Sequence, residues 1–132
     1  MKKEFLIKES SLRNFSLKAR IRSLGFALEG VLGFFRTEHN AIIHLMATVL
    51  VLIAAIFFKI SRTEMIAIAV AIGFVWTAEM FNTAIEKLAD TISGEFHPKI
   101  KFIKDVSAAA VLVSAITAFA IGSIVFIPKF FT

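Results

Sequence analysis

The chain has 132 residues and no cysteine, so it forms neither disulfides nor thiolate metal sites. Its residues are 58% hydrophobic and its mean hydropathy is +0.81, which excludes an ordinary soluble domain and points to an integral membrane protein. In that setting the formal net charge of +5 faces anionic headgroups and sets orientation, and nucleic-acid binding is the poorer reading.

The N-terminal stretch "MKKEFLIKESSLRN" has a positive start but lacks a continuous apolar centre, so no cleavable signal peptide is expected. A helix is expected over residues 10–37. Its larger apolar residues recur at helical spacing as Leu17, Ile21, Leu24, Leu28, Leu32 and Phe35, while Lys18, Arg22, Gly25, Glu29 and Arg36 fall on another side. This pattern describes an amphipathic helix lying in the cytoplasmic interface. A soluble helix packed on a partner is the competing reading.

Three membrane spans come next, expected at residues 40–60, 64–92 and 104–128, all within a single domain covering 1–132. Ile42 to Phe58 is a 17-residue apolar run, and Met65 to Ala78 is apolar for 14 residues and needs the next turns to cross. Val106 to Ile127 is long enough by itself, since a bilayer core requires ~20 residues. Eight Lys and Arg residues precede the first span and four lie between Lys87 and Lys104; only Lys59, Arg62 and Lys129 lie elsewhere. Positive charge stays on the cytoplasmic side, which puts the N-terminus inside and the C-terminus outside. Ala110, Ser114, Ala118 and Gly122 form a small-residue stripe in the third span. Such a stripe suits close helix approach and, with only three spans per chain, a homo-oligomer.

The second span runs without a turn signal into "AEMFNTAIEKLAD", which carries Glu79, Asn82, Glu86 and Asp90. Counted from Met65, Glu79 lies ~21 Å along the helix, short of the far edge of a ~30 Å core. Glu79, Glu86 and Asp90 share nearly one face, with Asn82 on its flank. A lone buried carboxylate reads as a neutral, hydrogen-bonded core group. Several on one face need a cation or protons to coexist, and hard oxygen ligands suit Mg²⁺. A group at membrane depth meets a lipid hydroxyl, whereas one farther along the helix meets a water-soluble nucleotide.

In the connection "TISGEFHPKIKFIKDVSAA", Gly94 is expected to close the long helix with a left-handed cap and Pro98 to break any helical pattern beyond it. Lys104 and Asp105 then stand at the mouth of the third span. Lys104 is placed to pair with phosphate and Asp105 with a nucleotide hydroxyl or metal; their plain structural readings are a snorkelling lysine and a helix N-cap. Glu38, in "FFRTEHN", is a further interfacial carboxylate with little weight from spacing alone. His97 stands alone, and His39 and His44, five apart, face different ways and make a poor metal pair. No GxxxxGK[ST] exists, so any nucleotide chemistry works without a P-loop.

The stretch "AEMFNTAIEKLADTISGEFHPKIKFIKDVSAAAVL" resembles the signature of the small prokaryotic diacylglycerol kinase and undecaprenol kinase family. That signature runs E-x-x-N-[ST]-A-I-E, then D, then E-[YF]-H, then K-D, and each element is present in order. The resemblance extends through "TEHNAIIHL" and covers residues 15 to 128. It implies a homotrimer of three-span subunits, each with a surface helix, that moves the γ-phosphoryl of MgATP onto a lipid alcohol at the cytoplasmic face. By resemblance, Glu79 matches the catalytic base and Asn82 a polar group beside it. Glu38 and Glu86 match metal-binding carboxylates at the nucleotide, and Glu95, His97, Lys104 and Asp105 match positions lining the nucleotide site. Asp90 matches a motif position without an assigned role. The sequence departs at Glu29 and Ile42, where relatives carry basic residues. "RTEHNAIIHL" and "IGSIVFIPKF" are closer to the undecaprenol branch. The competing functions are a small proton-coupled cation transporter, which needs Glu79 but normally a fourth span, and a non-catalytic membrane subunit.

Overall fold

The computed structural model describes residues 16–92 and 94–131, and all regular structure among them is helical. Helices run α1 (Leu17–Thr37), α2 (His39–Phe57), α3 (Arg62–Ile92) and α4 (Pro98–Phe126), ending in a 3-10 turn at Ile127–Phe130. Residues 10–15 of the expected first helix lie outside the described residues. The described residues form two compact units, divided between Arg36 and Thr37. The first contains nearly all of α1.

In the second unit, α2, α3 and α4 are each long and apolar enough to cross a membrane. The 19 residues of α2 span ~28 Å, about one bilayer core, whereas the 31 residues of α3 span ~46 Å and overrun it. The extra turns of α3 carry Glu86 and Asp90.

The α2–α3 turn joins two capping devices back to back. Lys59 adopts a left-handed φ of 48°, and its N–H donates to the Ile56 carbonyl at 3.2 Å while that of Ile60 donates to Ala55 at 3.2 Å. This is a Schellman ending made with lysine where glycine is usual. One residue later Ser61 and Glu64 form a capping box: the Ser61 N–H donates to Glu64 Oε2 at 2.6 Å, and the Glu64 N–H to Ser61 Oγ at 3.3 Å. Glu64 also pairs with Lys129 at 3.0 Å, and Phe58 packs against Phe130 with ring centroids 4.9 Å apart. The C-terminal turn is thereby fastened to the α2–α3 hairpin.

Burial in the three long helices follows a 3.5-residue repeat. Ala41, His44, Thr48, Val51, Ala55 and Phe58 are the inward positions around α2. On α3 the line is Ile68, Ala71, Val75, Glu79, Asn82, Glu86 and Ala89, and on α4 it is Ser107, Val111, Ser114, Ala118, Ile121 and Val125. This is coiled-coil spacing, and α3 with α4 form the most extensive pairing. The inward lines mix small and polar residues with a few β-branched ones such as Ile68, Val75 and Val125, while Leu50, Ile56, Phe74, Phe81, Leu112 and Phe119 are exposed. Hydroxyls are satisfied along their own helices: Ser114 donates to Val111 O at 2.7 Å and Thr117 to Val113 O at 2.9 Å.

Four local expectations are corrected. No glycine among the described residues has a positive φ, so Gly94 is not a left-handed cap. The reversal is built instead at the start of α4, where extended His97 is the N-cap and its ring accepts from the Lys99 N–H. Pro98 therefore opens a helix rather than breaking one, because the first turn needs no proline N–H. α4 starts six residues before Lys104, so Asp105 sits within the helix and is not its N-cap. In the small-residue stripe, Ser114 is fully buried within this chain and Ala110 is exposed, since the inward line advances by 3.5 and not 4 residues.

Candidate active site

The inward line of α3 carries the polar groups. Glu79 is 2% exposed, and its Oε1 lies 3.2 Å from His44 Nε2 on α2. One turn away the same helices meet again: Trp76 Nε1 donates to Thr48 Oγ1 at 3.1 Å, and that hydroxyl donates to the His44 carbonyl at 2.7 Å. The His44 and Trp76 rings stand edge to face, 6.3 Å apart. A buried carboxylate on an apolar helix is thus held by an imidazole that is itself braced by an indole.

One turn further on, Asn82 bridges α3 and α4. Its Oδ1 accepts from Ser107 Oγ at 2.7 Å and its Nδ2 donates to Glu86 Oε1 at 3.2 Å. Glu38 occupies the N-cap position of α2 but makes no cap bond. Its carboxylate meets Lys87 Nζ at 3.2 Å, on the turn of α3 that carries Glu86. Glu38 and Glu86 therefore approach the same end of the bundle from two helices.

Beyond them, Asp90, Glu95, His97, Lys104 and Asp105 line one cleft of about 330 Å³. Lys104 Nζ contacts Asp90 Oδ1 at 2.9 Å, and Lys101 pairs with Asp105 one turn away along α4. Because His97 Nδ1 accepts the capping hydrogen bond, the neutral ring carries its proton on Nε2, which is a donor. The nine residues singled out from sequence thus fall into two neighbouring groups along α3. The inner one comprises buried Glu79 and half-buried Asn82 and Glu86 with Glu38 at its edge, and the open one comprises Asp90 and the four residues of the adjoining segment.

His44, Thr48, Trp76, Lys87 and Ser107 were not singled out by the sequence reading. The 3.5-residue repeat of burial groups His44, Thr48 and Ser107 with the inward positions, a line that apolar periodicity in the sequence does not mark. Ile42, one departure from the resemblance, lies on the exposed side of α2, and Glu29 is exposed on α1. A second, mainly apolar cavity of about 200 Å³ lies among the three long helices, with His44, Thr48 and Trp76 at its wall beside Ala71, Ala118 and Gly122.

Residues 25–126 match the family model of prokaryotic diacylglycerol kinase. The chain belongs to the prokaryotic diacylglycerol kinase family. It is a membrane enzyme of the lipid-kinase class. An undecaprenol kinase of Bacillus subtilis is 37% identical over 108 residues, covering 82% of this chain and 88% of that protein. A diacylglycerol kinase of Synechocystis is 33% identical over 80% of this chain and 61% of its own length. A diacylglycerol kinase of Pseudomonas aeruginosa is 31% identical over 74% of this chain and 80% of its own. The match to the diacylglycerol kinase family model includes all of α2, α3 and α4, and so every residue of the two groups along α3.

Proposed function

We propose that the protein transfers the γ-phosphoryl group of ATP, with Mg²⁺, onto a membrane lipid alcohol at the cytoplasmic face, undecaprenol being preferred and diacylglycerol second. One observation carries this reading: a single face of α3 holds a carboxylate buried at membrane depth and runs on to an open, lysine-bearing cleft. A greasy hydroxyl reaches the first and a nucleotide the second. The preference for undecaprenol rests on similarity to the Bacillus protein.

Glu79 accepts the acceptor hydroxyl's proton as the lipid oxygen bonds to the γ-phosphorus and the bond to the β-phosphate oxygen breaks, releasing ADP. Asn82 sits beside that transfer. Lys104 exchanges Asp90 for a phosphate oxygen, and Glu95, His97 and Asp105 line the nucleotide. Glu38 and Glu86 would hold Mg²⁺. The donor set fits: an acidic residue at a helix N-cap makes no cap bond, and a second carboxylate is oriented by an amide. No group of three or more acidic or histidine ligands exists among the described residues, which suits an ion brought in by the triphosphate and held by one or two carboxylates. Bound there, Mg²⁺ supplies counter-charge to the phosphates.

In the same reading the N-terminus is cytoplasmic and the C-terminus outside, α1 lies in the cytoplasmic interface, and the whole chain acts as one domain of a homotrimer. The positive-inside asymmetry supports the orientation. The test is purified protein in detergent with γ-labelled ATP and the two lipids side by side. Label should enter undecaprenol faster than diacylglycerol, and EDTA should stop both. Absence of labelled lipid from either acceptor refutes the proposal, and a faster diacylglycerol reaction reverses the substrate order.

A further inference from the structure

We propose that His44 is the positioning residue for Glu79, donating from Nε2 to Glu79 Oε1 so that the other carboxylate oxygen is presented to the acceptor hydroxyl. This role rests on the proposed function, in which Glu79 is the proton acceptor.

Three features of the structure support it. The Nε2–Oε1 separation of 3.2 Å joins two different transmembrane helices, 35 positions apart in the chain, and is not a local turn contact. Glu79 is 2% exposed, so water cannot stand in for the imidazole. The ring is itself fixed: it meets the Trp76 ring edge to face, while Trp76 reaches the His44 carbonyl through the Thr48 hydroxyl. An unbraced imidazole would rotate about its two side-chain torsions and lose the contact; this one is held by a neighbouring indole. A carboxylate with two equivalent oxygens is free to offer either, or to turn away. Once one oxygen is engaged from the α2 side, the other has a defined direction, which is what a near-attack geometry requires. His44 also lies on the wall of the apolar cavity among the three helices, so the contact sits beside space suited to a hydrocarbon chain. In this role His44 takes no proton from the substrate: the hydroxyl proton ends on Glu79.

The test uses the full chain and four variants: His44→Phe, His44→Gln, His44→Asn and Glu79→Gln. A glutamine amide nitrogen reaches the place of Nε2, an asparagine amide only that of Nδ1, and phenylalanine keeps the ring without nitrogen. Loss of a hydrogen bond to a buried carboxylate should lower kcat about 10- to 100-fold in His44→Phe and His44→Asn. His44→Gln should recover to within about threefold of wild type, with the KM for ATP unchanged in all three. If phenylalanine prevents folding, the glutamine–asparagine pair decides alone. Wild-type kcat in His44→Asn while Glu79→Gln is inactive overturns the positioning role and leaves the base intact. A glutamine variant as slow as the asparagine variant overturns it too, because His44 then acts through its own proton. Normal turnover of Glu79→Gln removes the base itself, and that arm alone identifies this failure.

Discussion

Replacing Ser107 with alanine tests whether the Asn82 bridge orients Glu86. The Ser107 hydroxyl is buried and lies 2.7 Å from Asn82 Oδ1 and 2.9 Å from the Lys104 carbonyl. Its removal leaves the Asn82 carbonyl oxygen without that donor and frees the amide to turn. Glu86 Oε1 then loses the 3.2 Å hydrogen bond from Asn82 Nδ2. A hydrogen bond between membrane helices contributes about 0.6 kcal/mol on average and up to ~1.7, so the thermal midpoint in detergent should fall only modestly. The larger effect belongs to the metal. Loss of a group that orients a ligating carboxylate weakens metal affinity about 10- to 100-fold. Turnover measured against Mg²⁺ at fixed ATP should shift to higher concentration by about tenfold, with kcat recovered at saturation. Ser107→Thr, which keeps the hydroxyl, should move the curve far less. Superimposable Mg²⁺ curves for wild type and Ser107→Ala would refute the orienting role, whatever happened to stability.

Three further outcomes are expected. Lys104→Met should raise the KM for ATP about tenfold or more by removing a charge-assisted phosphate contact, measured by initial rates at saturating lipid. Glu64→Gln should retain the capping box but lose the charge pairing with Lys129, lowering the thermal midpoint slightly, whereas Glu64→Ala, which loses the box as well, should lower it further. Neither should alter kcat, because Glu64 lies ~22 Å along α3 from Glu79. Lys59→Gly should raise the thermal midpoint by relieving the left-handed lysine, a net gain of about 0.5 kcal/mol after glycine's larger entropy loss.

The span plan was legible in the sequence because lipid demands long apolar runs, and α2, α3 and α4 supply them. The acidic face of α3 was legible because charge inside such a run is conspicuous. What the sequence hid was the inward line itself. In water the buried stripe of a helix is the apolar one; here it reads Ala41, His44, Thr48, Val51, Ala55, and its outer neighbours are the large hydrophobes. Apolar periodicity therefore picks out the wrong side, and the His44–Glu79 contact has no counterpart in spacing along either helix. Pro98 was misread for a related reason. A proline is a breaker or an opener depending on whether the residue before it can cap, and the imidazole of His97 does so in a position more often held by Ser, Thr, Asp or Asn.

The four-residue reversal from Phe58 to Ser61 bears on how the protein reaches its membrane. So short a link obliges α2 and α3 to enter as one hairpin, with His44 and Glu79 already opposite each other. Threaded singly, a lone acidic side chain within the bilayer core is opposed by up to about 3 kcal/mol on insertion scales, the figure for its centre. Entering as a pair, each polar group arrives shielded by the other. Insertion assays on α3 alone and on the joined α2–α3 segment should therefore differ, and the difference should shrink when His44 is replaced by leucine.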